Sequence, residues 1–176
     1  MMLEIEENDF CSIDSFPLKW RWTDSRYNEL PDDALSKIQP LVETKARELF
    51  QHSKQFYDFQ TGLAESLFEN IKQINASGEV DEIQRWLLAC SSSSNQTIIV
   101  SWNNRFAALV EWKTFCKYWD DFCYPASDDV AIFPFSEEWT LLYSHEEYFT
   151  FGNRRGATAQ HNKSMDVRQK QRRSHT

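Results

Sequence analysis

With 176 residues, 41% of them hydrophobic and 15% aromatic, the chain can bury the core of one domain, and only four Gly and five Pro exclude a low-complexity sequence. Its net charge of −8 divides into −14 for residues 1–152 (12 Lys and Arg, 26 Asp and Glu) and +6 for residues 153–176 (seven against one). An acidic body of this kind repels nucleic-acid phosphates and membrane surfaces and attracts basic partners.

The N-terminus, the lack of a long apolar segment and the cysteines of the chain favour a cytoplasmic protein. The acidic N-terminus lacks the features of a signal peptide, and no window approaches the roughly 18 apolar residues of a membrane helix. The four cysteines show no C-x-x-C spacing, and this absence favours reduced thiols. Glycine-rich phosphate-binding motifs are absent as well. We therefore expect no membrane association, no metal and no cofactor.

The first half of the chain is predicted to be mainly helical. Alternating apolar and polar residues at 16–22 favour a short edge strand. Leu30-Pro31-Asp32-Asp33 predicts a helix start, and Pro40 is expected to separate a short helical turn from a longer helix. Apolar residues at helical spacing predict an amphipathic helix with a stripe of Leu63, Leu67, Phe68, Ile71 and Ile74. A further helix is predicted from Val80 to Cys90.

The second half is predicted to form a sheet. The β-branched run 97–102 predicts a strand, and a turn at Asn103-Asn104 leads into 106–112, a second strand or the entry to a helix. Thr114 is expected to cap a helix that ends near Tyr124-Pro125. Three short runs at 130–135, 139–143 and 148–151 predict an antiparallel meander.

Together these elements predict a single α+β domain over residues 1–152. N-terminal helices are followed by a small antiparallel sheet of four or five strands, with one helix inserted near 114–123. Residues 153–176 are basic and poor in apolar side chains, which predicts a disordered tail.

Acidic residues recur in the aromatic segment 102–151 and suggest a contact surface. A basic protein would be steered by these charges and held by aromatic anchors. The predicted contact residues are Asp120, Asp121, Asp128, Asp129, Glu137, Glu138, Glu146 and Glu147, with Trp139 and Tyr148 as anchors. The alternative is ordinary turn chemistry for the acidic pairs and burial in the core for the aromatic residues.

A catalytic alternative rests on His145, with Glu146 and Asp128. A His beside carboxylates can act as a general base or bind a metal. The zincin pattern needs a second His four residues later, where this chain has Phe149. A solvated hairpin turn explains the same residues. Cys123 is expected to be a buried, unreactive thiol with a raised pKa, because apolar and acidic residues surround it in sequence.

The segments W-K-T-F-C-K-Y-W-D-D-F-C-Y-P-A-S-D-D-V-A-I-F-P-F and W-T-L-L-Y-S-H-E-E-Y-F-T-F-G resemble a family of small uncharacterised gammaproteobacterial proteins, over about residues 15–154. The ending H-E-E-Y-F-T-F-G is more loosely similar to the last strands of small acidic immunity proteins, although the Gly and Pro motifs that open the best-known such family are absent. The resemblance implies a bacterial cytosolic protein and carries over no catalytic residues.

Three classes of function remain open from the sequence. The first is a non-enzymatic binding protein, immunity- or antitoxin-like, that neutralises a basic partner. The second is a small metal-dependent hydrolase that uses His145 and nearby carboxylates. The third is a housekeeping homo-oligomer whose aromatic surface is a dimer interface.

Overall fold

A seven-stranded antiparallel sheet organises the computed structural model, which describes residues 3–58 and 62–157. The helices are α1 (Trp20–Thr23), α2 (Asp32–Leu35), α3 (Glu43–Ser53), α4 (Val80–Cys90), α5 (Trp112–Lys117) and α6 (Trp119–Phe122). The strands are β1 (Gln39–Pro40), β2 (Tyr57–Asp58), β3 (Gly62–Leu63), β4 (Phe68–Asn75), β5 (Thr97–Ser101), β6 (Ala107–Glu111), β7 (Val130–Pro134), β8 (Trp139–Ser144) and β9 (Tyr148–Arg154). The strand order is β1-β6-β5-β7-β8-β9-β4, and β2 pairs with β3 separately.

Both faces of the central part of this sheet are buried. On β5, Ile98 and Val100 belong to one hydrophobic cluster and Ile99 belongs to the other. The first cluster lies under α4, α5, α6 and the N-terminal segment, and the second lies under α3, the 3-10 helix at Lys54–Phe56 and β3. Because side chains alternate between two covered faces, the central strands are continuously apolar instead of alternating with polar residues.

Several predicted elements are confirmed, together with the α+β class. Pro40 separates α2 from α3, and a helix spans Val80–Cys90 as expected. β5 and β6 form a hairpin, which decides the sequence alternative at 106–112 in favour of a strand. The meander of β7, β8 and β9 lies where the three apolar runs predicted it.

The amphipathic helix predicted over 63–74 is wrong, because most of this segment is the edge strand β4. Phe68 and Glu69 pair with Arg154 and Asn153, and after a register shift Lys72 pairs with Phe151. Asn70 adopts a positive φ of 52° within the bulge. An extra residue in a strand reverses the alternation of its side chains. The bulge therefore produces apolar spacings of three and four residues that imitate a helix.

The edge strand predicted at 16–22 is also wrong. The chain makes a tight turn there and enters α1, with Lys19 N bonded to Phe16 O at 3.0 Å. Arg21 and Trp22 are consecutive and both buried, at 5% and 0% exposure. A strand with one exposed face would place neighbouring side chains on opposite sides.

The sheet is larger than predicted, and the inserted helix is divided. The two outer strands β1 and β4 come from the half of the chain that was predicted to be helical. α5 begins at Trp112 with Glu111 as its N-cap, so Thr114 lies inside the helix, and α6 follows as a separate turn.

The last strand continues beyond the predicted domain boundary at residue 152. Asn153 pairs with Trp139 and Arg154 pairs with Phe68, so both belong to the sheet. The predicted tail from residue 158 onward lies outside the described residues. Within the described ranges, no helix has the length and apolar character needed to cross a membrane.

Candidate functional site

The predicted contact residues lie at opposite ends of the sheet. Glu137 and Glu138 are in the turn before β8, and Glu146 and Glu147 are in the turn after it. Since β8 has six residues that each rise about 3.4 Å, the two turns are roughly 20 Å apart. The eight carboxylates therefore do not form one continuous patch.

Asp128 is part of the buried framework. Its two carboxylate oxygens accept hydrogen bonds from Arg21 Nη1 at 2.6 Å and Nη2 at 3.1 Å, and Tyr124 N donates to Oδ2 at 2.8 Å. The Arg21 guanidinium also lies 4.4 Å from the centre of the Tyr124 ring. The Asp128 carboxylate is thus used to anchor α1 to the segment before β7.

Asp121 and Trp139 are buried as well. Asp121 accepts a hydrogen bond from Asn28 Nδ2 at 2.9 Å and is 6% exposed, and burial raises the pKa of its carboxyl to about 6. The Trp139 ring centre lies 4.9 Å from that of Trp112, inside the first cluster. Neither side chain is placed to anchor a partner at the surface.

His145 pairs with Asp129 at the surface. The Asp129 carboxylate accepts from the backbone N of His145 at 3.0 Å and lies 2.9 Å from its Nδ1. This hydrogen bond with Asp129 raises the pKa of His145. Because Asp128 is held by Arg21, the set His145, Glu146 and Asp128 is not assembled around one centre. Among residues 3–58 and 62–157, no three His, Cys, Asp or Glu side chains are grouped to hold a metal ion.

At the other end of the sheet, Glu137 contacts His52, a residue that the sequence did not single out. Oε1 of Glu137 meets Nε2 of His52, and the His52 ring packs on Phe56 and Phe133, with centres 5.6 Å and 6.1 Å apart. Glu138 accepts a hydrogen bond from Gln96 Nε2 at 3.0 Å. Because His52 and Glu137 are 85 positions apart, no local spacing could have revealed the pair.

An acidic surface forms where the β8–β9 turn, the start of α4 and α6 meet. Ala76 N donates to Glu147 O at 2.7 Å, and Trp119 Nε1 donates to Val80 O at 3.3 Å, so these contacts join the three segments. We call this surface the acidic corner, and it comprises Glu79, Val80, Asp81, Glu82, Asp120, Glu146, Glu147 and Tyr148.

Within the described part of the chain the carboxylates of the acidic corner form no close ion pair, although Glu146, after Asp129, contributes to the raised pKa of the neighbouring His145. None of the six forms an ion pair with a residue in the described part of the chain, whereas Glu43, Glu111 and Asp128 do. Two large apolar side chains are exposed among them, Val80 at 41% and Tyr148 at 36%. Burial raises the pKa of Asp120. The corner thus combines several carboxylates outside close ion pairs with apolar side chains that a partner could cover.

The four cysteines are all free. Cys123 is buried, and burial raises the pKa of its thiol well above the ordinary value, as the sequence predicted. Burial also raises the pKa of Cys90 to about 11. A thiol whose pKa is raised forms little thiolate at neutral pH, so neither group has the electronic setting of a nucleophile.

No protein-family model, no curated protein and no solved structure matches the chain, and its resemblance to a gammaproteobacterial family stays a prediction.

Proposed function

We propose that the chain is a non-enzymatic cytosolic binding protein that neutralises a basic protein partner, in the manner of an immunity protein or antitoxin. The observation that carries the proposal is the acidic corner, whose carboxylates form no close ion pair with any residue that the structure describes. Four of the predicted contact residues belong to it: Asp120, Glu146, Glu147 and Tyr148. Glu79, Asp81 and Glu82 extend it.

Binding would proceed in two physical steps. The unpaired carboxylates steer a basic protein toward the corner and raise its association rate, an effect that salt screens. Burial of Tyr148 and Val80 against the partner then slows dissociation, because aromatic and aliphatic anchors at the centre of an interface carry much of the binding energy. Charge alone would give rapid but short-lived encounters.

Charge reversal at the corner tests the proposal. The variant Glu82→Lys/Glu146→Lys changes two exposed residues of the corner. The control Glu4→Lys/Glu7→Lys makes the same change in net charge in the exposed N-terminal segment, which precedes the contact of Phe10 with Leu41 beside β1 at the opposite edge of the sheet. The wild type and both variants are immobilised and exposed to source-cell lysate at low and moderate salt, and retained proteins are identified by mass spectrometry.

We expect a basic protein to be retained by the wild type and the control at low salt, to be lost at moderate salt, and to be absent from the corner variant. The purified candidate should then bind the wild type with an association rate that falls as salt rises. Equal retention of basic proteins by all three baits contradicts the proposal, and so does an empty eluate from the wild type.

A further inference from the structure

Most of the exposed large hydrophobic side chains among the described residues lie around the β4 edge of the molecule. The described residues include five exposed large hydrophobic side chains, and four of them lie on β4, on α4 or at the start of β9, namely Ile71, Val80, Leu88 and Tyr148. Among the described strands, β4 is the last of the sheet and pairs with β9 alone. The acidic corner lies at one end of this edge, where β4 ends and α4 follows.

The chain leaves the sheet at the other end of the same edge, where β4 begins. Arg154 pairs with Phe68, and Arg155 N donates to Leu67 O at 2.9 Å, directly before β4 begins. The Arg155 side chain continues the contact, since its Nε donates to Glu65 O at 2.8 Å. Gly156 then turns the backbone with a φ of 82°. The described chain therefore ends beside β4, at the end of that strand opposite to the acidic corner.

The charge of this segment complements the corner. Residues 158–176 contain five Lys and Arg (Lys163, Arg168, Lys170, Arg172 and Arg173) and one acidic residue, Asp166, a balance of +4. The corner carries six carboxylates without an ion-pair partner among the described residues. The segment also contains two aliphatic side chains, Met165 and Val167, that could cover the exposed Val80 and Tyr148.

The segment is long enough to reach. β4 has eight residues, so its two ends are about 25 Å apart at roughly 3.4 Å per residue. A stretch of 13 residues, from 158 to 170, can span at most about 45 Å. A ligand tethered by a linker that covers the distance is presented at an effective concentration on the order of millimolar. Several weak charge contacts suffice under those conditions.

We propose that residues 158–176 bind the acidic corner of their own chain and compete there with other basic ligands. The contact itself follows from position, length and charge. Competition with a protein partner rests on the proposed function. Where such a partner exists, the segment would lower its apparent affinity and restrict the corner to partners that bind more tightly than the tethered ligand.

Zero-length carbodiimide cross-linking of the full chain tests the contact without any partner. The reagent joins Lys163 or Lys170 to a carboxylate that touches it, and mass spectrometry of the monomer identifies the joined residues. We expect Lys170, which the length of the segment allows to reach the corner, to couple mainly to Glu79, Asp81, Glu82, Glu146 or Glu147, and the products to disappear at high salt. Arg172→Glu/Arg173→Glu keeps both lysines and should reduce the same products.

Two variants serve as controls for the corner. Glu82→Gln/Glu146→Gln should lower the total yield of these cross-links, and Glu4→Gln/Glu7→Gln should leave it unchanged. Cross-links spread over exposed carboxylates without preference, cross-links confined to covalent dimers, or none from the two lysines would each overturn the inference. Because the measurement needs no partner, such a failure leaves the proposed function standing, and failure of the lysate capture leaves the contact standing.

Discussion

Two consecutive aspartates show how surroundings decide the role of a side chain. Asp128 is buried and accepts two hydrogen bonds from Arg21, whose side chain is 6% exposed. Asp129 is 61% exposed and pairs with His145 in solvent. From the sequence, both aspartates were predicted to belong to one contact surface. In the structure Asp128 anchors α1 to the segment before β7, and Asp129 bonds to His145 in the turn between β8 and β9.

Replacing Asp128 should therefore destabilise the protein far more than replacing its neighbour. Asp128→Asn leaves the Arg21 guanidinium buried without its counter-charge, which costs about 3–5 kcal/mol in comparable buried pairs. The matched control, Asp129→Asn, should leave the unfolding midpoint nearly unchanged, because exposed ion pairs contribute little. Urea unfolding measures both. A loss at Asp128 no larger than at Asp129 would show that the buried pair is not needed for stability.

Asp121 should make stability depend on pH. Burial raises its pKa from 3.8 to about 6 in the folded protein, so over that pH range the folded state binds more protons than the unfolded chain. The free energy of unfolding therefore falls as pH rises through this window, and the loss persists above it. Asp121→Asn removes the titration and should gain stability relative to the wild type between those pH values, by about 1.4 kcal/mol for each unit of pKa shift at most.

Urea unfolding of the wild type and Asp121→Asn at about pH 4 and at neutral pH measures this effect. The difference in free energy between the two proteins should be larger at neutral pH. The same difference at both pH values would mean that Asp121 is not perturbed in the folded state.

The contact between β4 and β9 depends on a residue without a side chain. A Cβ at Gly152 would lie 3.0 Å from Cδ1 of Leu63, 3.0 Å from Cβ of Phe68 and 3.3 Å from Cγ1 of Ile71. The Cβ of Phe68 is fixed to the backbone of β4 and cannot move independently. β3 and β4 can therefore approach β9 at this point because residue 152 is Gly.

Gly152→Ala should accordingly destabilise the protein, by about 1–3 kcal/mol, the usual penalty for overpacking. Gly78→Ala is a suitable control, because its added Cβ would meet neighbours at ordinary distances of 3.9 Å and 4.0 Å. Urea unfolding of both variants gives the comparison. If the two substitutions have equal effects, the close approach at Gly152 is not tight.

Local sequence patterns predicted those elements in which the spacing of apolar residues matches the geometry of the helix or strand itself. The helix α4 and the strands β5, β7, β8 and β9 are of this kind. They could not predict β4, because the bulge at Asn70 changes the phase of the side chains and a register shift is visible only against the partner strand. Nor could they reveal that β1 and β4 complete the sheet, since strand pairing is a long-range choice.

The same limit applies to the candidate site. Charge in sequence located Glu146, Glu147 and Tyr148, which remain in the acidic corner. It could not separate them from Glu137 and Glu138, because two successive hairpin turns lie at opposite ends of an antiparallel sheet. It also could not add Glu79, Asp81 and Glu82, which reach the corner because α4 starts directly after β4.

At the scale of the whole molecule, the local stability of the sheet should decrease from its covered central strands to its exposed edge. β7 has a strand on either side, and all five of its residues are buried. β4 has one neighbour, and most of its side chains are exposed. A buried central strand therefore needs more free energy to open than an exposed edge strand.

Native-state hydrogen exchange should therefore show β7 amides exchanging through global unfolding and β4 amides exchanging through smaller openings. The dependence of each exchange rate on low concentrations of denaturant separates the two routes, because global unfolding exposes more surface. β4 amides that exchange as slowly as those of β7, with the same denaturant dependence, would contradict this gradient.

The bulge in β4 has a consequence for how the chain meets other proteins. An unpaired edge strand can template the addition of another strand, which leads to aggregation. Here the bulge at Asn70 interrupts the edge, and the exposed side chain of Lys72 places its Nζ 5.5 Å from the centre of the Trp86 ring and 5.2 Å from that of Phe151. A strand docked on this edge would meet an irregular backbone and the positive charge of Lys72. The bulge that gives β4 a helix-like spacing of apolar residues in the sequence should thus also oppose edge-to-edge association of the folded protein.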